Sequence, residues 1–160
     1  MFKNWKVKII SGGQTGVDRA VLDFALENNI PCGGWCPKGR KAEDGVIPNF
    51  YPLIETTSEE YGFRTQKNVQ DSDGTLVLYL NNPDRGTDIT QEFCKTENKP
   101  ILQVILSKWL NYKLIHGWII SNNIKILNIA GPRESNEPGV YYATLQFLKN
   151  LFDHIRKSNS

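Results

Sequence analysis

The chain has 160 residues, of which 39% are hydrophobic and 22% are charged. This is the size and composition of one globular domain, and it excludes a wholly disordered chain, a collagen and a coiled coil. The formal net charge of +2 is too small for a protein that coats nucleic acid. There is no apolar run of the roughly 20 residues that a membrane span needs, and no signal-peptide pattern. We therefore expect a cytoplasmic protein without membrane or nucleic-acid partners.

The three cysteines, Cys32, Cys36 and Cys94, are few and odd in number. A disulfide framework is not expected from such a set in a cytoplasmic chain. Neither histidine lies near Cys32 or Cys36 in the sequence, so the spacing predicts no metal site. We expect three small, mostly buried thiols.

The first half of the chain begins with an apolar strand at residues 7–10, which ends at a glycine-rich turn. Apolar residues then recur at helical spacing from Val17. Thr15 and Asp18 resemble a capping box at the start of this helix. Residues 31–52 are rich in Gly and Pro and predict an irregular loop with a short strand or two. A second capping box, Thr57 with Glu60, predicts a helix from Ser58 to about Val69.

The second half continues the alternation of strands and helices. The later predicted elements are strands at 76–80, 101–106 and 126–130, and helices at 88–98, at 112–119 and from about Pro138 to the end. The last helix has the clearest apolar stripe, which comprises Tyr141, Thr144, Leu145, Leu148, Leu151, Phe152 and Ile155. We expect a single domain over residues 1–156, followed by a frayed tail at 157–160.

The alternation predicts an α/β fold: a single-domain, Rossmann-like three-layer sandwich, with a mostly parallel sheet between helices on both faces. In such sheets, ligands bind beyond the carboxyl ends of the strands, near a topological switch point. Functional residues are therefore sought in the turns that follow strands.

The turn after the first strand has the composition of an anion-binding site. Its glycines allow a tight turn and a close approach by a ligand, and the following helix offers unpaired N–H groups and a positive dipole end. The sequence matches neither the P-loop nor the dinucleotide fingerprint, and a purely structural turn is the alternative. The predicted binding residues are Ser11, Gly12, Gly13, Gln14, Thr15 and Arg19; Arg19 could instead pair locally.

Two further segments with basic residues or helix-opening turns could also hold an anion. Lys38 and Arg40 lie in a glycine- and proline-rich loop, where a solvated surface loop is the alternative reading. A second turn, Arg85-Gly86-Thr87, opens a helix after the buried strand, and Thr90 follows one turn later on the same side. Thr87 could also serve only as an N-cap.

Polar groups around two other strands complete the candidate set. Residues 64–74 form a polar segment before the strand at 76–80, and we select Ser72 and Asp73 from it as binding residues. The alternative is a surface helix whose aspartates make turn hydrogen bonds. Arg133, which follows the strand at 126–130, could reach a ligand or hold a neighbouring subunit.

Together, these motifs resemble the molybdenum cofactor carrier family, the circularly permuted branch of the Rossmann-like superfamily that includes lysine-decarboxylase-like proteins and is also called SLOG. The matching segments are SGGQTGVDRA (11–20), GGWCPKGRKAEDG (33–45), YPLIET (51–56), RTQKNVQDSDGTL (64–76), RGTDIT (85–90) and NIAGPRESNEPGVY (128–141). The six segments are in order and span nearly the whole chain.

The resemblance implies a Rossmann-like domain that forms homotetramers and carries the molybdenum cofactor. The ligand is then a small anionic molecule, Mo-molybdopterin, held and protected for transfer to molybdoenzymes. Its phosphate would meet the Ser11–Thr15 turn, the Lys38–Arg40 loop and the Arg85–Thr90 turn. The pterin dithiolene would hold the metal, so no metal ligand from the protein is expected.

The resemblance also suggests two alternatives, a nucleotide sensor and a phosphoribohydrolase-like enzyme. The related phosphoribohydrolases carry PGGxGTxxE, in which a Glu follows the Gly-Thr pair by three residues. Here Thr90 stands at that position, Arg85 replaces the preceding Gly, and Glu92 lies on a different helix face. The missing acid favours binding without catalysis.

Overall fold

A computed structural model describes residues 5–83 and 85–159 of the chain, without the side chains of residues 85–87. The strands and helices alternate as predicted. The strands are β1 (Lys8–Ile10), β2 (Cys32–Gly33), β3 (Trp35–Cys36), β4 (Lys41–Ala42), β5 (Gly45–Val46), β6 (Ile54–Glu55), β7 (Gly74–Tyr79), β8 (Ile101–Ile105) and β9 (Ile126–Ala130). The helices are α1 (Val17–Glu27), α2 (Tyr61–Asp71), α3 (Arg85–Thr96), α4 (Tyr112–Ser121) and α5 (Val140–Ser158).

Five of the strands form one parallel sheet in the order β2-β1-β9-β7-β8. Every residue of β7 is buried, as expected for an apolar strand covered on both faces. Helices α1, α4 and α5 pack together on one face, and α2 and α3 pack together on the other. The predicted three-layer α/β sandwich is therefore confirmed.

The strand order identifies the switch point of the sheet. β9 is the last strand in the chain, yet it lies in the middle of the sheet, between β1 and β7. If β9 and α5 preceded β1, the order would become the 3-2-1-4-5 arrangement of a doubly wound fold. The chain is thus a circular permutation of that fold, and its strand order reverses between β9 and β7.

Two hydrophobic clusters stabilise the domain. The larger joins the sheet to α1, α4 and α5, and the stripe on α5 contributes much of it. Val140 and Phe147 are buried there, although the predicted stripe omits them, whereas Tyr141 and Leu145 are only partly buried. The smaller cluster lies under the segment that contains β3 to β6, and it comprises Leu22, Cys36, Ala42, Ile47, Tyr51 and Leu53.

Both predicted capping boxes are wrong. Gly16 is the N-cap of α1, and the Asp18 carboxylate accepts the N–H of Gln14 rather than that of Thr15. α2 begins at Tyr61 and has no side-chain cap. The Ser58 hydroxyl accepts the N–H of Glu60, which precedes the helix.

The end of the chain and the predicted loop also differ from expectation. α5 starts at Val140, after the N-cap Gly139, and continues to Ser158, so it includes the first two residues of the segment predicted as a frayed tail. The Gly/Pro-rich segment at 31–52 holds four short strands and a 3-10 turn at Lys38–Arg40. Across the residues that the structure describes, no helix is long and apolar enough to cross a membrane.

Candidate functional site

A small polar cavity lies beside the switch point of the sheet, near the carboxyl ends of β1 and β9. Its volume is about 60 Å³. The turn after β1, the end of β9 and the inner faces of α2 and α3 enclose it. The lining residues are Gly12, Asp18, Arg64, Thr65, Asn68, Thr90, Asn128, Ala130 and Gly131.

A buried ion pair forms one wall of the cavity. Nη1 of Arg64 lies 3.4 Å from Oδ2 of Asp18 and donates to the carbonyl oxygen of Gly12 at 2.5 Å. A side chain at position 12 would overlap the Arg64 guanidinium, so only glycine permits this approach. The pair thus joins α1, α2 and the glycine-rich turn across the site.

The protonation of Asp18 depends on two opposing effects. Burial disfavours the carboxylate and raises the pKa of Asp18, while the Arg64 guanidinium and the N–H of Gln14 act in the opposite direction. The pKa remains raised, so this carboxyl group takes up a proton more readily than an exposed aspartate. The positive charge of Arg64 is balanced only while Asp18 is ionised.

Two asparagines fix the elements that surround the cavity. The amide of Asn68 accepts the N–H of Trp35 at 2.8 Å and donates to the Trp35 carbonyl at 3.0 Å, which joins α2 to β3. Asn128, on β9, donates to the hydroxyl of Thr75 on β7 at 3.2 Å. Both asparagines are about 2% exposed. Their hydrogen bonds hold α2 against β3 and β9 against β7 around the cavity.

A second arginine lies near the cavity on the loop after β9. The guanidinium carbons of Arg64 and Arg133 lie 5.5 and 5.4 Å from the ring centre of Tyr61. Among the described residues, the Arg133 guanidinium has no hydrogen-bond or ion-pair partner beyond this ring. Arg133 makes no direct ion pair there, but its charge is near enough to the Glu43 carboxylate to help lower the pKa of Glu43.

Most polar side-chain atoms of the glycine-rich turn bond within the protein, but the buried Nε2 of Gln14 has no partner among the described residues. Ser11 donates to the Asp18 carbonyl at 3.1 Å, and Oε1 of Gln14 accepts the N–H groups of Thr15 and Glu43. The Thr15 hydroxyl donates to the Glu43 carboxylate. An acidic hairpin from β4 to β5 therefore occupies the outer side of the turn, where an external anion was expected.

The same hairpin also engages Arg19. The guanidinium of Arg19 binds both carboxylate oxygens of Asp44, at 2.9 and 3.1 Å, and donates to the Gly13 carbonyl. Arg19 thus pairs locally, which is the alternative to anion binding that the sequence leaves open. Among the described residues, the N–H groups of Gly12 and Gly13 have no hydrogen-bond partner, so backbone donors remain available on the cavity side.

Lys38 and Arg40 are not part of the cavity lining. Lys38 is exposed on the 3-10 turn. The Arg40 guanidinium donates to the carbonyl oxygens of Ile47, Pro48, Tyr51 and Leu53 at 2.7–3.3 Å. The structure therefore gives Arg40 a role in holding the loop at residues 47–53, not the ligand contact expected from the sequence.

We expect Arg40→Ala to destabilise the domain by about 2 kcal/mol, because it removes several charge-assisted hydrogen bonds and leaves carbonyl groups unpaired. Chemical denaturation measures this loss, and Lys38→Ala, which removes a neighbouring exposed charge, is the control. If Arg40→Ala kept full stability and lost ligand binding, the structural role would be wrong.

Ser72 and Asp73 lie at the opposite edge of the sheet from the cavity. They precede β7, whereas the cavity lies where the strands end. The Ser72 hydroxyl donates to the Val69 carbonyl, and the Asp73 carboxylate accepts the N–H groups of Lys125 and Ile126 at 2.9 and 2.8 Å. Their selection as binding residues is corrected: they join the end of α2 to the start of β9.

The second predicted anion turn is only partly described. The side chains of Arg85, Gly86 and Thr87 lie outside the described residues. Thr90, on α3, is 3% exposed and lines the cavity, as the motif predicts. Of the predicted binding residues, the cavity lining thus includes Gly12 and Thr90.

Sequence reasoning missed Asp18 and Arg64 as site residues. The sequence predicts Asp18 as a helix cap. From the polar segment at 64–74 it predicts Ser72 and Asp73 as binding residues, but not Arg64. The available signal was the thin apolar stripe of α2: a buried helix with so few apolar residues must direct polar groups inward. Arg64 and Asn68, four residues apart, do so.

Comparisons with known proteins agree with this geometry. Residues 9–152 match the circularly permutated YpsA SLOG family. A crystal structure of a protein from Syntrophus aciditrophicus, described as a putative molybdenum carrier protein, is 46% identical and superposes with a TM-score of 0.88. The match covers 92% of this chain and 95% of that one. A search of curated proteins gives no match.

Proposed function

The chain belongs to the circularly permuted YpsA SLOG family, and on that premise we propose that its cavity binds the phosphate-bearing molybdenum cofactor as cargo. The observation that carries the proposal is the cavity at the switch point, which combines the buried Arg64 guanidinium with the unpartnered N–H of Gly12. Guanidinium groups and the backbone N–H groups of glycine-rich turns bind phosphate oxygens. The Syntrophus aciditrophicus relative is described as a putative molybdenum carrier protein, which supports a cargo that contains molybdenum.

The size of the cavity indicates which part of the cargo enters it. A cavity of about 60 Å³ has room for a few water molecules, so we propose that it receives the phosphate group of the cargo and not the pterin ring. The ring system would lie outside, against Tyr61, and the dithiolene of the cofactor would hold the molybdenum.

The charges around the cavity assign Arg133 a central part in this proposal. Asp18 neutralises Arg64 while it is ionised, so Arg64 alone supplies little net attraction for an anion. Arg133 makes no direct ion pair among the described residues, although Glu43 lies within range of its charge, and it lies over the same aromatic ring. We therefore infer that Arg133 provides the net positive charge that draws the phosphate to the site.

The position of Thr90 supports binding without turnover. It lines the cavity at the place where the phosphoribohydrolase motif carries its Glu. Asp88 and Glu92, the acids of α3 on either side of it, line a different groove beside β8. A hydroxyl at this position can supply only a hydrogen bond, and the carboxylate that does line the cavity, that of Asp18, is paired with Arg64. We propose a cytoplasmic carrier, homotetrameric like other family members, that delivers its cargo to molybdoenzymes.

We expect the molybdenum cofactor to raise the melting temperature of the protein, because a ligand that binds only the folded state stabilises it by mass action. Arg133→Ala should weaken this binding by about 10- to 100-fold, the loss expected for a hydrogen bond to a charged group. Thermal-shift titration with the cofactor, molybdate, AMP and GMP measures both effects. The matched control is Arg156→Ala, which removes an exposed arginine of α5.

The competing functions give different results in the same titration. Stabilisation by AMP or GMP but not by the cofactor would favour the nucleotide sensor. Release of free base from either nucleotide would favour the enzyme. Unchanged cofactor affinity in Arg133→Ala would remove this arginine from the site.

A further inference from the structure

The carboxylate of Glu43 is bound by the two turns that follow β1 and β9. Its Oε1 accepts the Thr15 hydroxyl and, at 3.2 Å, the N–H of Ser135, while its Oε2 accepts the Ser135 hydroxyl at 2.5 Å. Thr15 follows β1 and Ser135 follows β9, and these two strands are neighbours in the sheet. The donors of Thr15 and Ser135, which we name the outer site, therefore lie at the same edge of the sheet as the cavity.

The surroundings of the outer site stabilise a negative charge. Hydroxyl and backbone N–H donors beside an arginine are typical of sites that hold phosphate and carboxylate groups. Partial burial raises the pKa of Glu43, but the hydrogen bonds from Ser135 and Thr15 and the charge of Arg133 outweigh this effect, so the pKa of Glu43 is lowered. An anion of another molecule would find the same stabilisation at this position.

Other contacts than the Glu43 carboxylate hold the β4–β5 hairpin in place. Both carboxylate oxygens of Asp44 bind Arg19, at 2.9 and 3.1 Å, and the backbone N–H of Glu43 donates to Gln14 at 2.9 Å. Ile47, which follows β5, is fully buried in the smaller hydrophobic cluster. Glu43 itself is exposed, so its side chain can turn into solvent while the hairpin keeps its position.

The Gln14 side chain at this contact has a donor without a partner. Gln14 is 5% exposed, and its Oε1 accepts the N–H groups of Thr15 and Glu43. The Nε2 of the same amide is buried, and no described residue accepts a hydrogen bond from it. A buried donor without an acceptor costs free energy. A tetrahedral oxyanion has more oxygens than a carboxylate and can accept from more donors than Glu43 does.

We propose that the outer site binds a tetrahedral oxyanion and that Glu43 is its internal competitor. The oxyanion, either free or as the phosphate group of a larger ligand, takes the donors of Thr15 and Ser135 when the Glu43 side chain turns into solvent. Because Glu43 is attached beside the site, it competes at a high effective concentration. The outer site is separate from the cavity, whose described lining includes neither Glu43 nor Ser135, and the inference does not depend on the proposed cargo.

Titration with inorganic phosphate, read by the melting temperature at an ionic strength held constant with sodium chloride, tests the proposal. Glu43→Ala should lower the phosphate concentration for half-maximal stabilisation about 10-fold, because phosphate no longer displaces a hydrogen-bonded carboxylate. Addition of Ser135→Ala should remove most of this gain. Glu27→Ala, the same charge change at an exposed position of α1, should behave like the unaltered chain. Parallel titrations with molybdate and AMP distinguish a free oxyanion from the phosphate group of a larger ligand.

The proposal is overturned if phosphate stabilises Glu43→Ala no better than the unaltered chain, or if the gain persists in full when Ser135 is also replaced. A gain that depends on Ser135, together with no stabilisation by the molybdenum cofactor, would support the outer site and contradict the proposed cargo alone. Circular dichroism verifies that each variant is folded. If Glu43→Ala does not fold, Glu43→Gln decides, because it keeps the length of the side chain, removes its charge and should change phosphate binding in the same direction.

Discussion

Replacement of Arg64 by Met should destabilise the protein by about 3–5 kcal/mol at neutral pH, the cost of leaving one partner of a buried ion pair without the other. Met has a similar length, so little volume is lost, and the main effect is electrostatic. Asp18 would remain nearly fully buried without its counter-charge, and the carbonyl of Gly12 would lose its hydrogen bond from Arg64.

The pH dependence of this loss follows from the pKa of Asp18. Burial raises that pKa above its ordinary value of 3.8, so the folded state binds the proton more tightly than the unfolded state. The protonated carboxyl therefore favours folding fully below pH 3.8, and this advantage is lost as the pH rises through the folded pKa. Arg64 opposes the rise, so Arg64→Met should raise the pKa of Asp18 further. The destabilisation should be largest at neutral pH and shrink on acidification.

Urea denaturation across this pH range measures the effect, with Asp18→Asn as the partner variant. Asp18→Asn combined with Arg64→Met leaves no buried charge and should be clearly more stable at neutral pH than Arg64→Met alone. Arg156→Met, an exposed arginine in an i,i+3 pair, should cost less than about 1 kcal/mol. Equal losses in the single and double variants would contradict an electrostatic cause.

The glycine-rich turn shows how far the sequence can locate a site. A strand followed by glycines and then a helix fixes the turn at the carboxyl end of β1, because a parallel sheet allows no other position for it. The same reasoning correctly placed Thr90 at this edge of the sheet. It failed for Ser72 and Asp73 because they precede a strand, and residues before a parallel strand lie at the opposite edge.

The partners of the polar groups in the turn could not be predicted. Thr15 and Arg19 have the composition of anion ligands, but Glu43 and Asp44 of the β4–β5 hairpin provide the anions, and Gln14 accepts the backbone N–H of Glu43. This hairpin is 25–29 residues away in the sequence, and no periodicity indicates where so irregular a segment folds back. Local patterns therefore identified groups that bind an anion, but not the part of the chain that supplies the anion.

The position of β9 had a larger consequence for the site. Chain order alone suggests that the last strand lies at an edge, whereas here it separates β1 from β7. This insertion brings Ala130 and Gly131 beside Gly12, although the two turns are more than a hundred residues apart. The cavity lies where this strand order places the carboxyl ends of β1 and β9 next to α2 and α3.

Replacement of Gly131 by Ala should cost about 3 kcal/mol, the upper part of the range for inserting a methyl group into a closely packed site. A Cβ at this position would overlap the carbonyl oxygen of Leu78 and lie 2.6 Å from a methyl carbon of Val17. The Leu78 carbonyl belongs to the central strand β7 and cannot move without disturbing the sheet. The loop after β9 would therefore shift away from α1 and from the cavity.

Gly117→Ala is the matched control, because it adds the same methyl group at a position in α4 where nothing lies within 4 Å. Alanine is the better helix former, so this variant should be more stable than the unaltered protein by roughly 0.5–1 kcal/mol. The two alanine variants should therefore change the free energy of unfolding in opposite directions, which chemical denaturation resolves. If Gly131→Ala retained full stability, the close approach of β9, β7 and α1 that encloses the cavity would be wrong, and with it the placement of the site at the switch point.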